Sequence, residues 1–297
     1  MQQKRAYWRK LDNAAKLFSA TSNKKDTRVF RFYCVLKEEI DGERLQEALD
    51  RTVVTYPVFL SVMRKGLFWH YLEKSRLRPV VKEEYKEPCS SLYVRDKKSL
   101  LFEVTYYGRR INFEVFHALT DGTGATEFLK ELVKNYLYIA HKEEGLADVP
   151  LLDENVTIQD QESDSFSQYY TEVKKKKDKK PRAYQLKKPR KEVGQLQVNE
   201  AVISVNEVLG RSRELGVSMT VFLTSVFLQA IHREMSKQQE KHPVVLMVPV
   251  NLRKFFPSDS MLNFFNWIEP GYHFGEGGGS FEDVLQHVKD YFAGELT

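Results

Sequence analysis

Seven histidines occur in the 297 residues, and one of them stands in a setting suited to proton transfer. In Phe116-His117-Ala118-Leu119-Thr120-Asp121-Gly122, an imidazole is followed four residues later by a carboxylate and then a glycine. An imidazole titrating near pH 6.5 is a proton acceptor at neutral pH, which makes His117 a candidate general base. Asp121, across a tight loop, is placed to fix the local backbone rather than to touch a substrate. Two other chemistries fit less well. Zinc would need His117 and Asp121 on one helix face with a third ligand close by; Gly122 and Gly124 argue against a helix there, and no third ligand is near, so no metal is expected. Gly122-x-Gly124-x-x-Glu127 imitates a dinucleotide fingerprint, but it puts Glu where a small residue must pack, and repeated βαβ units do not surround it.

The elements that would position His117 are legible on both sides. Arg110 to Val115 alternates Ile111, Phe113 and Val115 with Asn112 and Glu114, the pattern of a strand with one buried face. Ala125 to His141 places Phe128, Leu129, Leu132, Val133, Tyr136, Leu137 and Ala140 at helical spacing. His117 therefore falls at a strand end, with Gly122 and Gly124 expected to bend the chain before the helix starts. Upstream, Thr27 to Lys37 reads as a strand apolar enough to be central. Glu43 to Tyr56 reads as an amphipathic helix ended by Pro57. Val58 to Met63 and Leu67 to Leu72 read as a hairpin, and Ser91 to Arg95 and Leu100 to Tyr107 as strands turned at Asp96-Lys97-Lys98. Residues 1–146 thus form one α/β unit with a largely antiparallel sheet.

From 147 to 194 the composition changes. Leu151 to Phe166 is acidic, and Lys174 to Lys191 holds nine Lys, two Arg and one Asp, exceeding by itself the chain's net charge of +5. Such a stretch lacks the apolar side chains of a core and is expected to be a solvated linker. Residues 195–297 then supply a strand at Glu200–Val205, a helix at Asn206–Leu215, and a helix after Ser218 whose apolar residues cover nearly its whole circumference. A continuous apolar strand at Val244–Val250, a strand at Met261–Tyr272, and a last helix capped at Ser280 follow. Cys34 and Cys89 read as reduced, structural thiols, and no apolar run approaches the ~20 residues of a membrane helix. A cytoplasmic chain without stable membrane insertion is expected. The lysine run has one interleaved aromatic, Tyr184, and no nucleic-acid motif accompanies it, so nucleic acid is not an expected partner.

His117-x-x-x-Asp121-Gly122 at a strand end resembles the active-site motif of the acyltransferase superfamily with the chloramphenicol-acetyltransferase-like fold. Its members include condensation domains, BAHD acyltransferases and bacterial alcohol acetyltransferase-like proteins. The opening Leu11-Asp12-x-Ala14 resembles the last group, although packing is the reading favoured here for Asp12. Val248-Pro249-Val250-Asn251-Leu252-Arg253 followed by Asn263-Phe264-Phe265-Asn266 resembles the family's crossover into its C-terminal domain. The resemblance covers most of the chain outside the linker.

The resemblance implies an α/β (α+β sandwich) fold of two chloramphenicol-acetyltransferase-like halves with mixed, largely antiparallel sheets and the active site between them. The second half is expected to be truncated, since relatives continue past Thr297. It further implies a general base at His117, a structural Asp121 and Gly122, and Arg253 as partner to Asp121; a surface charge at a strand end is the alternative for Arg253. The implied reaction moves an acyl group, acetyl above all, from acyl-CoA (acetyl-CoA) as co-substrate to a small alcohol or amine acceptor, with no bound cofactor. Condensation domains carry a second His where Phe116 stands, which favours transfer from CoA over a peptide-synthetase role. The alternatives are a condensation-type domain using carrier-bound acyl groups and a non-catalytic scaffold on the same fold. Asn251, Asn263 and Asn266 could donate to an oxyanion, but turn and edge chemistry is the expectation for them.

Overall fold

A computed structural model describes residues 7–67, 69–94, 97–145, 155–171, 181–186, 191–276 and 278–296. The turn residue Asp96 and most of the Lys174–Lys191 run lie outside the described residues. The chain divides into two compact units. The first comprises Met1–Thr171, Lys191–Leu196 and Asn251–Phe264; the second comprises Glu172–Arg190, Gln197–Val250 and Phe265–Thr297.

The first unit opens with β1 (Trp8–Lys10) and α1 (Asn13–Thr21), the latter capped by Asp12. Then come β2 (Val29–Val35) and α2 (Gly42–Thr55), whose N-terminal amides are capped by Asp41. Pro57 stops α2 and opens a 3-10 turn over Pro57–Phe59, so Val58 and Phe59 are not part of the hairpin expected from the sequence. The hairpin itself is β3 (Ser61–Lys65) and β4 (His70–Lys74), and β1 pairs along β4 to give the sheet order β1-β4-β3. A two-residue β5 (Lys82–Glu83) precedes β6 (Phe102–Tyr107) and β7 (Arg110–Phe116). Ser91–Val94, expected as a strand, is in no regular element. The four-stranded order is β2-β7-β6-β5, antiparallel except for the parallel β5–β6 pair. β2, apolar enough to be central, is an edge strand, and β7 is interior.

β7 also departs from its pattern. Every residue from Ile111 to Phe116 is buried, so both faces are covered. Most of the groups on the polar face are partnered: Glu114 Oε1 accepts from Arg31 Nε at 2.8 Å and from the Cys89 amide at 2.6 Å, and Asn112 Nδ2 donates to Thr105, leaving Asn112 Oδ1 without a partner among the described residues. On the other face Phe113 stacks on Phe128 at 4.7 Å, with Phe59 and Phe102 around them. Phe128 belongs to α3 (Gly122–Ala140), which packs with α2 against this sheet.

The acidic stretch does not behave as a solvated linker throughout. It forms α4 (Ile158–Gln161) and α5 (Ser165–Tyr169), and Gln161 and Ser165 are buried within the first unit. Gln161 Nε2 donates to the Thr55 carbonyl, and its own carbonyl accepts from Met261 N.

The second unit contains α6 (Val205–Glu214), α7 (Met219–His232), β8 (Val244–Val245), β9 (Val248–Asn251), β10 (Phe265–Ile268), β11 (Gly271–Tyr272) and α8 (Phe281–Glu295). Four expectations change. Glu200–Ser204 is not a strand. The Val244–Val250 run breaks at Leu246-Met247 into two short strands, β8 pairing with β11 and β9 with β10. Met261–Phe264 precedes its strand instead of belonging to it. α7 is not buried all round: Val221, Thr224, Ser225 and Leu228 are buried, while Phe227 is 60% exposed. The unit's core gathers Val221, Leu228, Val244, Ile268, Val284 and Val288. The whole is a mixed α/β fold with open mixed and antiparallel sheets. No single helix among the described residues is long and apolar enough to cross a membrane.

Candidate active site

His117 stands one residue past the end of β7, and its amide extends the β2–β7 ladder by donating to Arg28 O at 2.9 Å. Arg28 holds a left-handed backbone (φ 54°), uncommon for a residue with a side chain, at the point where β2 meets this rung. The imidazole is packed between rings. Phe18 of α1 stacks on it at 4.1 Å with 22° between planes, and Phe30 of β2 lies at 4.7 Å. Burial pushes the His117 pKa below its ordinary 6.5; hydrogen bonds to the main chain of His117 itself and of Thr120 and to the Asn263 side chain, and the charge of Asp121, pull the other way without reversing the direction. The shift favours the neutral form of the ring.

Asp121 and Gly122 are placed differently from the turn expected for them. The helix begins at Gly122, and Asp121 is its N-cap, with Oδ1 accepting from Thr123 N at 3.0 Å and Gly124 N at 3.1 Å. A side chain at Gly122 would meet only Phe32, at an ordinary 3.7 Å. Gly124 is the glycine the site requires: a Cβ there would collide with Thr120 Oγ1 and would lie 2.7 Å from Met261 O. The same Thr120 hydroxyl donates to Met261 O at 2.6 Å, so the 251–264 segment lies close against the start of α3 at this point.

The second oxygen of Asp121 meets Arg253. Nη1 donates to Oδ2 at 2.7 Å, and Phe264 N donates to the same oxygen at 2.8 Å. Asp121 is buried and Arg253 largely so, and the pair is not bidentate. The remaining guanidinium donors are taken up by the carbonyls of Ser260, Leu262 and Phe264. Arg253 thus gathers the irregular Ser260–Phe264 backbone around itself, and Asp121 attaches that backbone to the start of α3. Both residues belong to the first compact unit, so the pair acts inside one unit.

Asn263, carried by that same backbone, points its Oδ1 at His117 Nδ1 (3.1 Å), and its Nδ2 donates to Asp12 Oδ2 at 3.1 Å. Asp12 is 3% exposed and Asn263 1%. Neither is given this role by sequence: Asp12 reads as a packing residue, and Asn263, weighed as an oxyanion donor, reads as turn chemistry. The only local signal is that Asp12 is an N-cap, with Oδ1 accepting from Ala15 N at 2.7 Å. Burial raises its carboxyl pKa from 3.8 to about 6, against the hydrogen bonds from Ala15 and Asn263. Asn251 does show turn chemistry, accepting from Arg253 N, and Asn266 is exposed and accepts from Trp267 N. Among the described residues no group of three His, Cys, Asp or Glu side chains converges in a metal-binding arrangement. A cavity of about 610 Å³ lies against α1, lined by Trp8, Leu11, Lys16, Ala20, Trp69 and His70 among others.

No protein-family model matches the sequence, and no curated protein sequence does. Solved structures do match. Polyketide synthase associated protein 5 from Mycobacterium tuberculosis superposes with a TM-score of 0.63 at 15% identity, over 97% of this chain and 72% of its own. The first condensation domain of the calcium-dependent antibiotic synthetase gives 0.62 at 15%, over 98% and 75%. The starter condensation domain of rhizomide synthetase gives 0.56 at 12%, over 98% and 72%. At these identities the likeness establishes the fold: the chain has the condensation-domain type of architecture that the motif resemblance implied.

Proposed function

We propose that this chain transfers an acyl group from a thioester to a hydroxyl or amine acceptor, with His117 as the general base. The observation that carries the reading is the placement of His117: an imidazole at a strand end, packed between Phe18 and Phe30 and shifted by burial toward its neutral form, on a platform whose nearby carboxylate, Asp121, caps α3 and pairs with Arg253. In the reaction the acceptor O–H or N–H gives its proton to the imidazole as the heteroatom bonds to the thioester carbonyl carbon. The tetrahedral oxyanion then collapses, the C–S bond breaks, and the imidazolium returns the proton to the leaving thiolate. The donor in this reading is acyl-CoA, acetyl-CoA first. A carrier-bound acyl group is the second reading, favoured by the likeness to condensation domains of synthetases, one of them solved with a substrate analogue; Phe116 in place of a second histidine weighs for CoA. The test is thiol release from acetyl-CoA and from an acyl-phosphopantetheinyl carrier, with a panel of alcohols and amines, comparing the native chain with His117→Ala. Acceptor-dependent release lost in the variant supports the reading; equal rates, or none with any donor, leave the fold a scaffold.

A further inference from the structure

Asp12 spends more than an N-cap needs. Capping α1 uses one oxygen, and a neutral Ser, Thr or Asn would serve as well. A carboxylate buried to 3% exposure is a costly substitute for a hydroxyl. Its second oxygen is what differs, and that oxygen receives Asn263 Nδ2. A carboxylate only accepts, so it dictates which end of the Asn263 amide faces it: the nitrogen. The amide oxygen is then necessarily the end that faces His117 Nδ1 at 3.1 Å. An oxygen accepts, so this contact favours the proton on Nδ1, and a neutral imidazole protonated there has its basic lone pair on Nε2. The same helix supplies Phe18, which fixes the plane of the ring by stacking at 4.1 Å.

We propose that Asp12, acting through Asn263, is a positioning residue that sets the tautomer and orientation of His117 so that Nε2 is the atom that takes the acceptor's proton. The catalytic part of this rests on the base role proposed above; the tautomer does not. Arg253 enters indirectly, because it holds the backbone carbonyls on either side of Asn263, those of Leu262 and Phe264.

The experiment is a long-range ¹H–¹⁵N correlation spectrum of the full chain labelled at histidine, at mildly alkaline pH, with the His117 signals identified by their loss in His117→Ala. The native chain is expected to show His117 protonated on Nδ1. Asp12→Asn keeps the cap but lets the Asn263 amide invert, and Asn263→Leu removes the acceptor; in both, His117 is expected to shift toward a mixture of the two tautomers. A native ring protonated on Nε2, or a native tautomer unchanged in both variants, would overturn the relay, the latter assigning the tautomer to the ring's own main-chain contact. With a working acyl-transfer assay, Asp12→Asn should lower kcat roughly 10²-fold with KM unchanged. A fall in KM-dependent binding alone would also count against the relay. If no donor is turned over by the native chain, the base role fails while the spectrum still decides the relay.

Discussion

An imidazole acts as a base only while it is neutral, and the residues around His117 bear on that condition. Removing the ring is the direct test: His117→Ala should lower kcat by about 10²–10⁴-fold, measured as thiol release, with thermal unfolding unchanged within a few degrees. Acid should have a parallel effect. The His117 pKa is pushed below 6.5 by burial and that of Asp12 up to about 6, so kcat should fall as pH drops through about 6 and below. The charged groups acting on this pair are Asp121 on the ring, and Asp164 and Arg9 on Asp12. The two shifts have opposite consequences for stability. His117, depressed, contributes stability that is present above 6.5 and lost as pH falls. Asp12, raised, contributes stability that is present below 3.8 and lost as pH rises through about 6. A rise from 3.8 to about 6 corresponds to about 3 kcal/mol. Asp12→Asn should therefore gain stability relative to the native chain, by up to about 3 kcal/mol, as pH rises across that interval, even while kcat falls. Urea unfolding at several pH values measures this, and a constant difference between the two proteins would contradict it.

At the scale of elements, the site depends on how closely the 251–264 segment can approach the first turn of α3. Gly124 is the residue at that contact. In an ordinary helix Gly→Ala stabilises by about 0.5–1 kcal/mol. Here the added methyl would strike Thr120 and the Met261 carbonyl, so Gly124→Ala should destabilise instead, by about 1–3 kcal/mol. The sign of the change in Tm is the measurement. The Asp121–Arg253 pair holds the same two elements together. Asp121→Ala leaves a largely buried guanidinium without its counter-charge, a Phe264 amide without its acceptor and an uncapped helix; Arg253→Ala leaves the Ser260 and Leu262 carbonyls without their guanidinium donors and the Asp121 carboxylate without its counter-charge. Each should cost about 3–5 kcal/mol. The double variant should cost less than the sum, because both remove one shared interaction. Denaturant midpoints of the four proteins complete the cycle, and strict additivity would show the two side chains to be energetically independent.

Over the whole molecule, the division into compact units does not follow the order of the sequence. Asn251–Phe264 is reached only after α6, α7, β8 and most of β9, yet it belongs with the first unit, where it brings Arg253 and Asn263 to His117 and Asp121. Hydrogen exchange should report this membership. The amides of Met261, Leu262 and Phe264 donate to Gln161 O, Ser260 Oγ and Asp121 Oδ2, all within the first unit. They should exchange with the protection of β7 and α3, not with that of α7 and α8. In Arg253→Ala they should lose that protection while the core amides of β7 keep theirs. Early exchange of these three amides in the native chain would remove the segment from the first unit.

The sequence by itself determined what short-range physics determines. The alternation before His117 and the helical spacing after it located the strand end and the helix. Caps at Ser218 and Ser280 and the stop at Pro57 marked element ends, because each acts on neighbours a few residues away. The pairing of Asp121 with Arg253 came from a motif resemblance, since 132 positions separate them. Only the tertiary structure decided the rest. A strand's apolarity does not say whether it lies at an edge, as β2 does, nor whether it continues unbroken, as Val244–Val250 does not. Gly122 and Gly124, which argue against a helix in the sequence, begin one, because Asp121 caps it and Gly124 admits a second backbone. Asp12 and Asn263 lie 251 positions apart, and nothing in the residues around either one signals the other. A hydrogen bond at that separation is set by where packed elements bring two side chains, and a local sequence pattern carries no record of it.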